Sequence, residues 1–390
     1  MPLSPRGSGF ARGLIVTVFC LSCGTLTSAQ RPAARADQKL DPTAAAAAQA
    51  RAQAEQQEIQ SLVRVADAAM SGQAAPADFP IQFQNDFLKA QGPRVWVPIV
   101  LTLDSAKTPS GALTLYLRVT PRGMTAPPLP AAPAPDKNAK DGKDKDKNKK
   151  GPAAPAPAAP NYPFEDVSFL DVKPAAPGQP LRIQRGIGVP AGSYDLYIVL
   201  HERPAPPVPG TAPGAAPAAA GKTAVLKQPL DVPNYGGDFS TSTVILAERV
   251  DQLTTPIAPD AQSEHPYAFG QTEIVVAPDH KFKKVQELIV LLQIYNPMLT
   301  PEKKFNLEAT YTFYRQDAGT EKRFNSTEPQ IFSSETMGAG FDPTGNSSIQ
   351  AGQGVPLQSF PEGPYRLEIK ITDKLSSKVL TQNVNFTVTP

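Results

Sequence analysis

One pattern occurs twice and limits most of what this chain can become. Val189 to Leu200 reads VPAGSYDLYIVL, and Phe360 to Ile371 reads FPEGPYRLEIKI. Pro190, Gly192, Tyr194, Leu196, Ile198 and Leu200 match Pro361, Gly363, Tyr365, Leu367, Ile369 and Ile371, all at one offset of 171 residues (361 − 190). Each copy is a Pro-x-Gly turn feeding a strand in which every second residue is apolar. Successive side chains of a strand point to opposite faces, so each copy has one face to bury.

Two more strands repeat. Val97, Ile99, Leu101 and Leu103 of WVPIVLTLD (Trp96 to Asp104) precede Leu288, Val290, Leu292 and Ile294 by 191 residues (288 − 97). Leu113, Leu115, Leu117 and Val119 of ALTLYLRVT (Ala112 to Thr120) precede Leu307, Ala309, Tyr311 and Phe313 by 194 (307 − 113). The turn cluster AKTPSG between the first two predicts that they pair as an antiparallel hairpin. Alternation resumes at Phe164 to Val172, Leu181 to Ile187 and Ala224 to Val232, with Thr241 to Ala247 expected to close the first copy. The last strand, Val379 to Val388, follows the turn DKLSSK. Short alternating strands with no helix between them predict an all-β chain of two tandem antiparallel β-sandwiches. The expected boundaries are 79–247, a linker at 248–264, and 265–390. In this pattern Tyr194 and Tyr365 sit at a sheet corner, ring over the core and hydroxyl at the rim.

The N-terminal 29 residues have the make-up of an export signal. Arg6 and Arg12 precede the apolar run Leu14 to Cys23, and Thr27-Ser28-Ala29 supplies small residues for cleavage before Gln30. The run is ten residues long, against the roughly 20 of a spanning helix. Lipidation at Cys23 is the alternative, weakened by Cys20 where an apolar residue is usual. Both cysteines lie in this segment. Residues 30–78 are predicted as a disordered stretch followed by a helix over about 43–70, where Ile59, Leu62, Val63, Ala66 and Met70 make one apolar stripe. Ser71-Gly72 ends it. Such a stripe is expected to pack on its own domain or to stay partly free; at two heptads it is too short for a coiled coil.

Proline is over-used, with 44 residues, and 15 of them fall in two inserts. The first, 125–160, carries DKNAKDGKDKDKNKK at its centre; the second is 204–221. With little to bury, both are expected to be disordered. The aspartate spacing of the first misses a calcium loop by one position and lacks the closing Glu. Lys and Arg total 38 against 36 Asp and Glu, so nothing in the charge favours nucleic acid or anionic membranes.

Phe360 to Val388, with its Pro-x-Gly-x-Tyr-x-Leu-x-Ile strand and closing hairpin, resembles the last strands of extracytoplasmic immunoglobulin-like or fibronectin-III-like domains of bacteria. It is similar to tandem domains of that kind in uncharacterised secreted proteins. The resemblance implies fold and compartment, and no activity. It departs from antibody-type domains in lacking a cysteine pair beyond the leader and in having Trp96 as its one tryptophan.

Residues able to carry chemistry are few. His201, His265 and His280 lack the spacing of a zinc site, and Asp279-His280 has no G-x-S-x-G partner. Gly186, Gly188 and Gly192 have the wrong spacing and context for a phosphate cradle. Glu165, Asp166, Asp171, Asp260 and Glu264 are the carboxylates that a dispersed hydrolase site would need. A sugar-binding platform would rest on Tyr295 and Tyr314, because Tyr311 and Phe313 share the core face. Asn325-Ser326-Thr327 and Asn346-Ser347-Ser348 have the glycosylation spacing and read as loops. No catalytic, cofactor or metal residue is assigned. The expected function is an exported, non-catalytic structural or protein-interaction role, periplasmic or extracellular, with no membrane span in the mature chain. A carbohydrate-binding accessory is the alternative and a hydrolase the more remote one. N-terminal sequencing of protein recovered from a bacterial envelope should begin at Gln30; a chain beginning at Met1 there would overturn the leader assignment.

Overall fold

A computed structural model describes residues 42–90, 92–104, 111–125, 161–172, 179–203, 221–317, 319–338, 341–344 and 348–390. The leader, nearly all of both inserts and Asn346 lie outside the described residues. Helix α1 (Pro42–Met70) is followed by β1 (Ile81–Asn85), β2 (Leu88–Lys89), β3 (Arg94–Leu103), β4 (Gly111–Pro121), β5 (Phe164–Val172), β6 (Leu181–Pro190), β7 (Gly192–Glu202) and β8 (Thr223–Val232). Then come β9 (Ser240–Thr241), β10 (Ile245–Gln252), β11 (Ala268–Phe269), β12 (Thr272–Val276), β13 (Lys281–Lys283) and β14 (Glu287–Tyr295). The chain closes with β15 (Asn306–Asp317), β16 (Thr320–Ser326), β17 (Gln330–Ser333), β18 (Ile349–Pro356), β19 (Gly363–Asp373) and β20 (Val379–Thr389). The architecture is mostly β, in four sheets, antiparallel but for β13 on β20.

The first sandwich faces β1/β2–β3–β6 against β5–β4–β7–β8. Val97, Ile99, Leu101 and Leu103 meet Leu113, Leu115, Leu117 and Val119 in one core, with Leu196, Ile198 and Leu200 beside them. The second faces β9/β10–β14–β18 against β16/β17–β15–β19–β20. Its core joins Leu288, Val290, Leu292 and Ile294 to Leu307, Ala309, Tyr311 and Phe313. Full burial of each Leu, Ile or Val contributes about 1.5–3 kcal/mol. The repeat extends to strand register. Leu115↔Leu200, Leu117↔Ile198 and Val119↔Leu196 recur as Ala309↔Ile371, Tyr311↔Ile369 and Phe313↔Leu367, at the same offsets of 194 and 171.

Three expectations need correction. β3 and β4 do not pair: they lie in opposite sheets and face each other across the core. Alternation specifies only that both bury one face toward the same centre, which a hairpin and a cross-core pair satisfy equally. Thr241 to Ala247 does not close the first sandwich. Thr241 bonds to Ile294, and Ile245 to Ala247 run along Leu291 to Ile289 of β14. The outer edge of β8 is already covered by residues 76–78, through Asp78 N to Thr223 O and Val225 N to Pro76 O. Finally, 248–264 is no plain linker, since its first residues continue β10 and pair with β12.

Helix α1 ends where Ser71-Gly72 predicts. Gly72 adopts φ 76°, Gly72 N reaches Ala69 O and Gln73 N reaches Ala68 O, the Schellman arrangement that satisfies the last carbonyls. Leu62 and Ala66 of the stripe are buried against Tyr116 and Val199 on the outer face of β4 and β7, and buried Met70 lies against Arg118.

The paired tyrosines occupy equivalent places with different surroundings. Tyr365 is fully buried; its ring stacks on Phe386 with centroids 5.3 Å apart, near Phe360 and Phe324, and its hydroxyl donates to Pro361 O at 2.7 Å. At the positions of Phe360, Phe386 and Phe313 the first sandwich has Val189, Leu230 and Val119. With smaller neighbours, Tyr194 is only half-buried and its hydroxyl folds over Gly192. Tyr365→Phe should therefore cost about 1 kcal/mol in a urea titration, and Tyr194→Phe close to nothing; equal losses would refute the difference in role.

Candidate functional site

The sequence offered histidines and carboxylates as candidates, and the fold disperses them. His201 Nδ1 lies 2.9 Å from Thr223 Oγ1 on the first sandwich. His265 Nδ1 is 2.8 Å from Glu273 Oε1 in the turn before β11. His280, at φ 51°, bonds Asn385 O through Nδ1 at 3.0 Å, and Asp279 caps Lys281 N at 3.2 Å. Asp166 accepts from Ser168 at 3.1 Å, while Asp260 and Glu264 are exposed. Glu264 nears Arg185 at 3.6 Å. Asp171 is exposed on β5. Among the described residues no group of three His, Cys, Asp or Glu could hold a metal ion.

The aromatic platform is not assembled either. Tyr295 is buried between the two sandwiches, its ring 4.8 Å from Tyr235. Tyr314 is half-buried under the Arg366 guanidinium, 4.2 Å from its centroid. Tyr311 and Phe313 lie in the core, as their strand position predicts. Gly186 and Gly188 sit in β6, where a Cβ on Gly186 would land inside the Trp96 ring. That close approach, not phosphate binding, accounts for the glycine.

Two clusters that alternation does not flag stand out instead. Arg118 points outward from β4 yet is 2% exposed, because α1 covers it. It pairs with Asp67 of the helix and, at 2.9 Å, with Glu165 of β5; Tyr116 also donates to Glu165. The Tyr162 ring closes the other side at 4.3 Å. Burial works against the charge on Arg118, but the bonds to Asp67 and Glu165 outweigh it and raise its pKa. Burial raises the Tyr116 hydroxyl as well, helped by Glu165. Thr114 and Arg203 hold Glu58 of the same helix. The arrangement fastens helix to sheet and uses up Glu165.

The second cluster is the seam between the sandwiches. The outer face of β3 presents Trp96 and Val100, next to Leu88 of β2. These pack on Ile245, Ala247, Ile274, Val276 and Ile289 from the outer face of the third sheet. Trp96 Nε1 donates to Pro266 O at 2.9 Å, and Gly186 N to Ser263 O at 2.7 Å. Lys89 N donates to the Tyr295 hydroxyl at 2.9 Å. At the centre, Asp86 interrupts β1 and β2 opposite Pro98. N–H and C=O of one residue point the same way in an antiparallel ladder, so Pro98 accepts from Asp86 N at 3.0 Å but offers no donor back. The freed chain turns toward the second sandwich. Phe87 N donates to Thr243 Oγ1 at 2.9 Å, and Thr243 N returns to Phe87 O at 3.2 Å. The Asp86 carboxyl accepts from the Thr243 hydroxyl at 2.9 Å and from Tyr267 at 2.6 Å.

A groove of about 360 Å³ opens beside the seam, lined by Phe87, Tyr235, Phe239 and Leu380 with a rim of Ser240, Thr241 and Gln382. Its polar rim bonds internally: Gln382 donates to Thr241 Oγ1 at 2.9 Å and Ser240 to Asp238 O at 3.0 Å. Among the described residues no helix is long and apolar enough to cross a membrane. Arg118→Ala leaves two carboxylates without their cation under the helix. We expect a loss of about 3 kcal/mol and faster tryptic cutting at Arg64; unchanged stability and digestion would contradict this role.

No family model matches the chain, and no curated protein matches it. Among solved structures, 79% of the chain aligns with 32% of a calcium-binding mutant of Bacteroides uniformis beta-glucuronidase 2, at 10% identity and a TM-score of 0.21. Likewise 80% of it aligns with 17% of a mutant of Salmonella alpha-2-macroglobulin, at 10% identity and a TM-score of 0.18. The chain thus spans less than a third of the length of either protein.

Proposed function

We propose that this is an exported, non-catalytic accessory protein of the cell envelope or extracellular space. In this reading two tandem immunoglobulin-like sandwiches are fused into one rigid body that presents loops to a protein partner. The observation that carries it is the seam. A third apolar core and a set of buried hydrogen bonds join the halves, where a pair of independent binding beads would need only a linker. Support for the immunoglobulin-type assignment comes from the antiparallel pairing of the first half, two four-stranded sheets facing each other across one core. Tyr365, near the start of its strand, also bonds backbone four residues upstream, as a tyrosine corner does.

The candidate histidines and Glu165 are engaged in holding the fold, and the remaining carboxylates are dispersed over its surface, which favours a binding role over catalysis. Rigid loops are available for it. Buried Asp373 accepts from Met298 N at 2.8 Å, Leu375 N at 3.0 Å and the Ser376 hydroxyl at 2.8 Å. That pins the segment after β14 to the turn after β19, and leaves Met298 and Leu375 52% and 40% exposed. A photo-reactive residue placed at Leu375 should cross-link one defined protein in intact envelopes, and that protein, once purified, should bind the wild type but not Met298→Asp. Capture on a glycan array with no protein cross-link would favour the carbohydrate reading, and turnover of a substrate would end the non-catalytic one.

A further inference from the structure

Asp86 is enclosed between the two sandwiches, and no ion pair reaches it among the described residues. The hydrogen bonds around it fix where a proton can sit. Thr243 Oγ1 accepts from Phe87 N, so its single hydroxyl proton is free to point at Asp86 Oδ1. Oδ1 is thereby committed as an acceptor. A proton bound by Asp86 goes on Oδ2, 2.6 Å from the buried Tyr267 hydroxyl. When Asp86 is ionised, Tyr267 donates to it; when neutral, its own O–H donates to the Tyr267 oxygen. The other titratable groups facing this point are His280, from the turn between β12 and β13, and Tyr235, from the segment after β8. His280 also approaches Gln84 of β1, 3.4 Å from its amide nitrogen. No lysine or arginine faces the carboxyl among the described residues.

We propose that this carboxyl is a proton-operated latch: neutral, it holds the two sandwiches closed, and its ionisation loosens the seam. The direction follows from linkage. Burial raises the Asp86 pKa; the bonds from Tyr267 and Thr243 and the field of His280 pull it down without cancelling the rise. The closed seam therefore binds the proton more tightly than the opened one. Its contribution to closure is complete below the ordinary aspartate pKa of about 3.9. It is lost as pH rises from there through the raised value. The latch rests on the fused seam and not on the export or partner readings, which can fail independently of it.

Hydrogen–deuterium exchange of the full chain between pH 4.5 and pH 8, corrected for intrinsic rates, tests this. Peptides covering residues 86–90 and 266–270 should lose protection as pH rises, approaching tenfold per pH unit inside the window. Peptides covering residues 367–371 in the second core should stay flat. Asp86→Asn imitates the neutral acid, with an oxygen for Thr243 and an N–H for Tyr267, and should abolish the pH dependence while keeping the seam closed. Tyr267→Phe removes a donor from the carboxylate and should move the midpoint to higher pH. Should either variant fail to fold, the carbon-13 resonance of the wild-type Asp86 carboxyl must titrate in step with the loss of protection. A flat wild-type profile, a slope that persists in Asp86→Asn, or a carboxyl that titrates at the ordinary aspartate value would each overturn the latch.

Discussion

A strand has two faces, and a sandwich buries only one of them. What happens to the other face at each of the four sheets determines the rest of this structure. The outer face of β4, β7 and β8 carries Tyr116, Val199 and Val225 at its centre, and α1 covers it. The equivalent positions in the second sandwich, by the same strand registers, are Thr310, Lys370 and Thr381, and among the described residues no helix lies over that face. The two remaining outer faces, of β3 and of β10 with β14, are apolar and cover each other. The described residues form a stack of four sheets with a helix at one end and a polar sheet face at the other. Removing each apolar face from water contributes on the order of 25 cal/mol per Å², which favours the stack over two separate beads.

Fusing two sheets at the seam carries a polar cost. Pro98 stands in a central strand and withholds a donor, so β1 must give way to β2 at that point. The groups set free there, the buried Asp86 carboxyl and the Phe87 backbone, turn to Thr243 and Tyr267 of the other half. A buried polar network that is fully satisfied specifies one docking geometry, because a shifted seam would leave its members unpaired. The Arg118 cluster works the same way at the far end of the stack. Apolar contact between Leu62, Ala66 and Val199 holds the helix down, and Asp67 and Glu58 select where along the sheet it lies.

Strands with strong alternation were legible in the sequence; those without it were not. β16 (TEKRFNS) is almost wholly exposed and so carries no pattern to read. β18 (IQAGQGVP) is half glycine and glutamine between its buried residues, with Gly352 and Gly354 close against Leu291 and Glu287. Of the chemical groups, the histidines and carboxylates drew attention by residue type alone, whereas Arg118 in a strand and Asp86 between two strands look like ordinary charges. Their roles depend on partners far along the chain: Arg118 on Asp67, 51 residues away, and Asp86 on Tyr267, 181 residues away.

The sequence by itself determined that the chain is β-rich and internally repeated, and which side chains point inward. That information is local: a period of two and a turn every few residues are set by backbone geometry before any long-range contact forms. It also placed the helix and its end, since an apolar stripe and a glycine at the C-terminus suffice. Only the tertiary structure decided which strands pair and which face each other across a core, where one sandwich stops and the next begins, and that their outer faces meet. Those choices rest on matching surfaces and hydrogen-bond partners brought together from distant segments. A one-dimensional pattern records that a residue is buried, but not which element buries it.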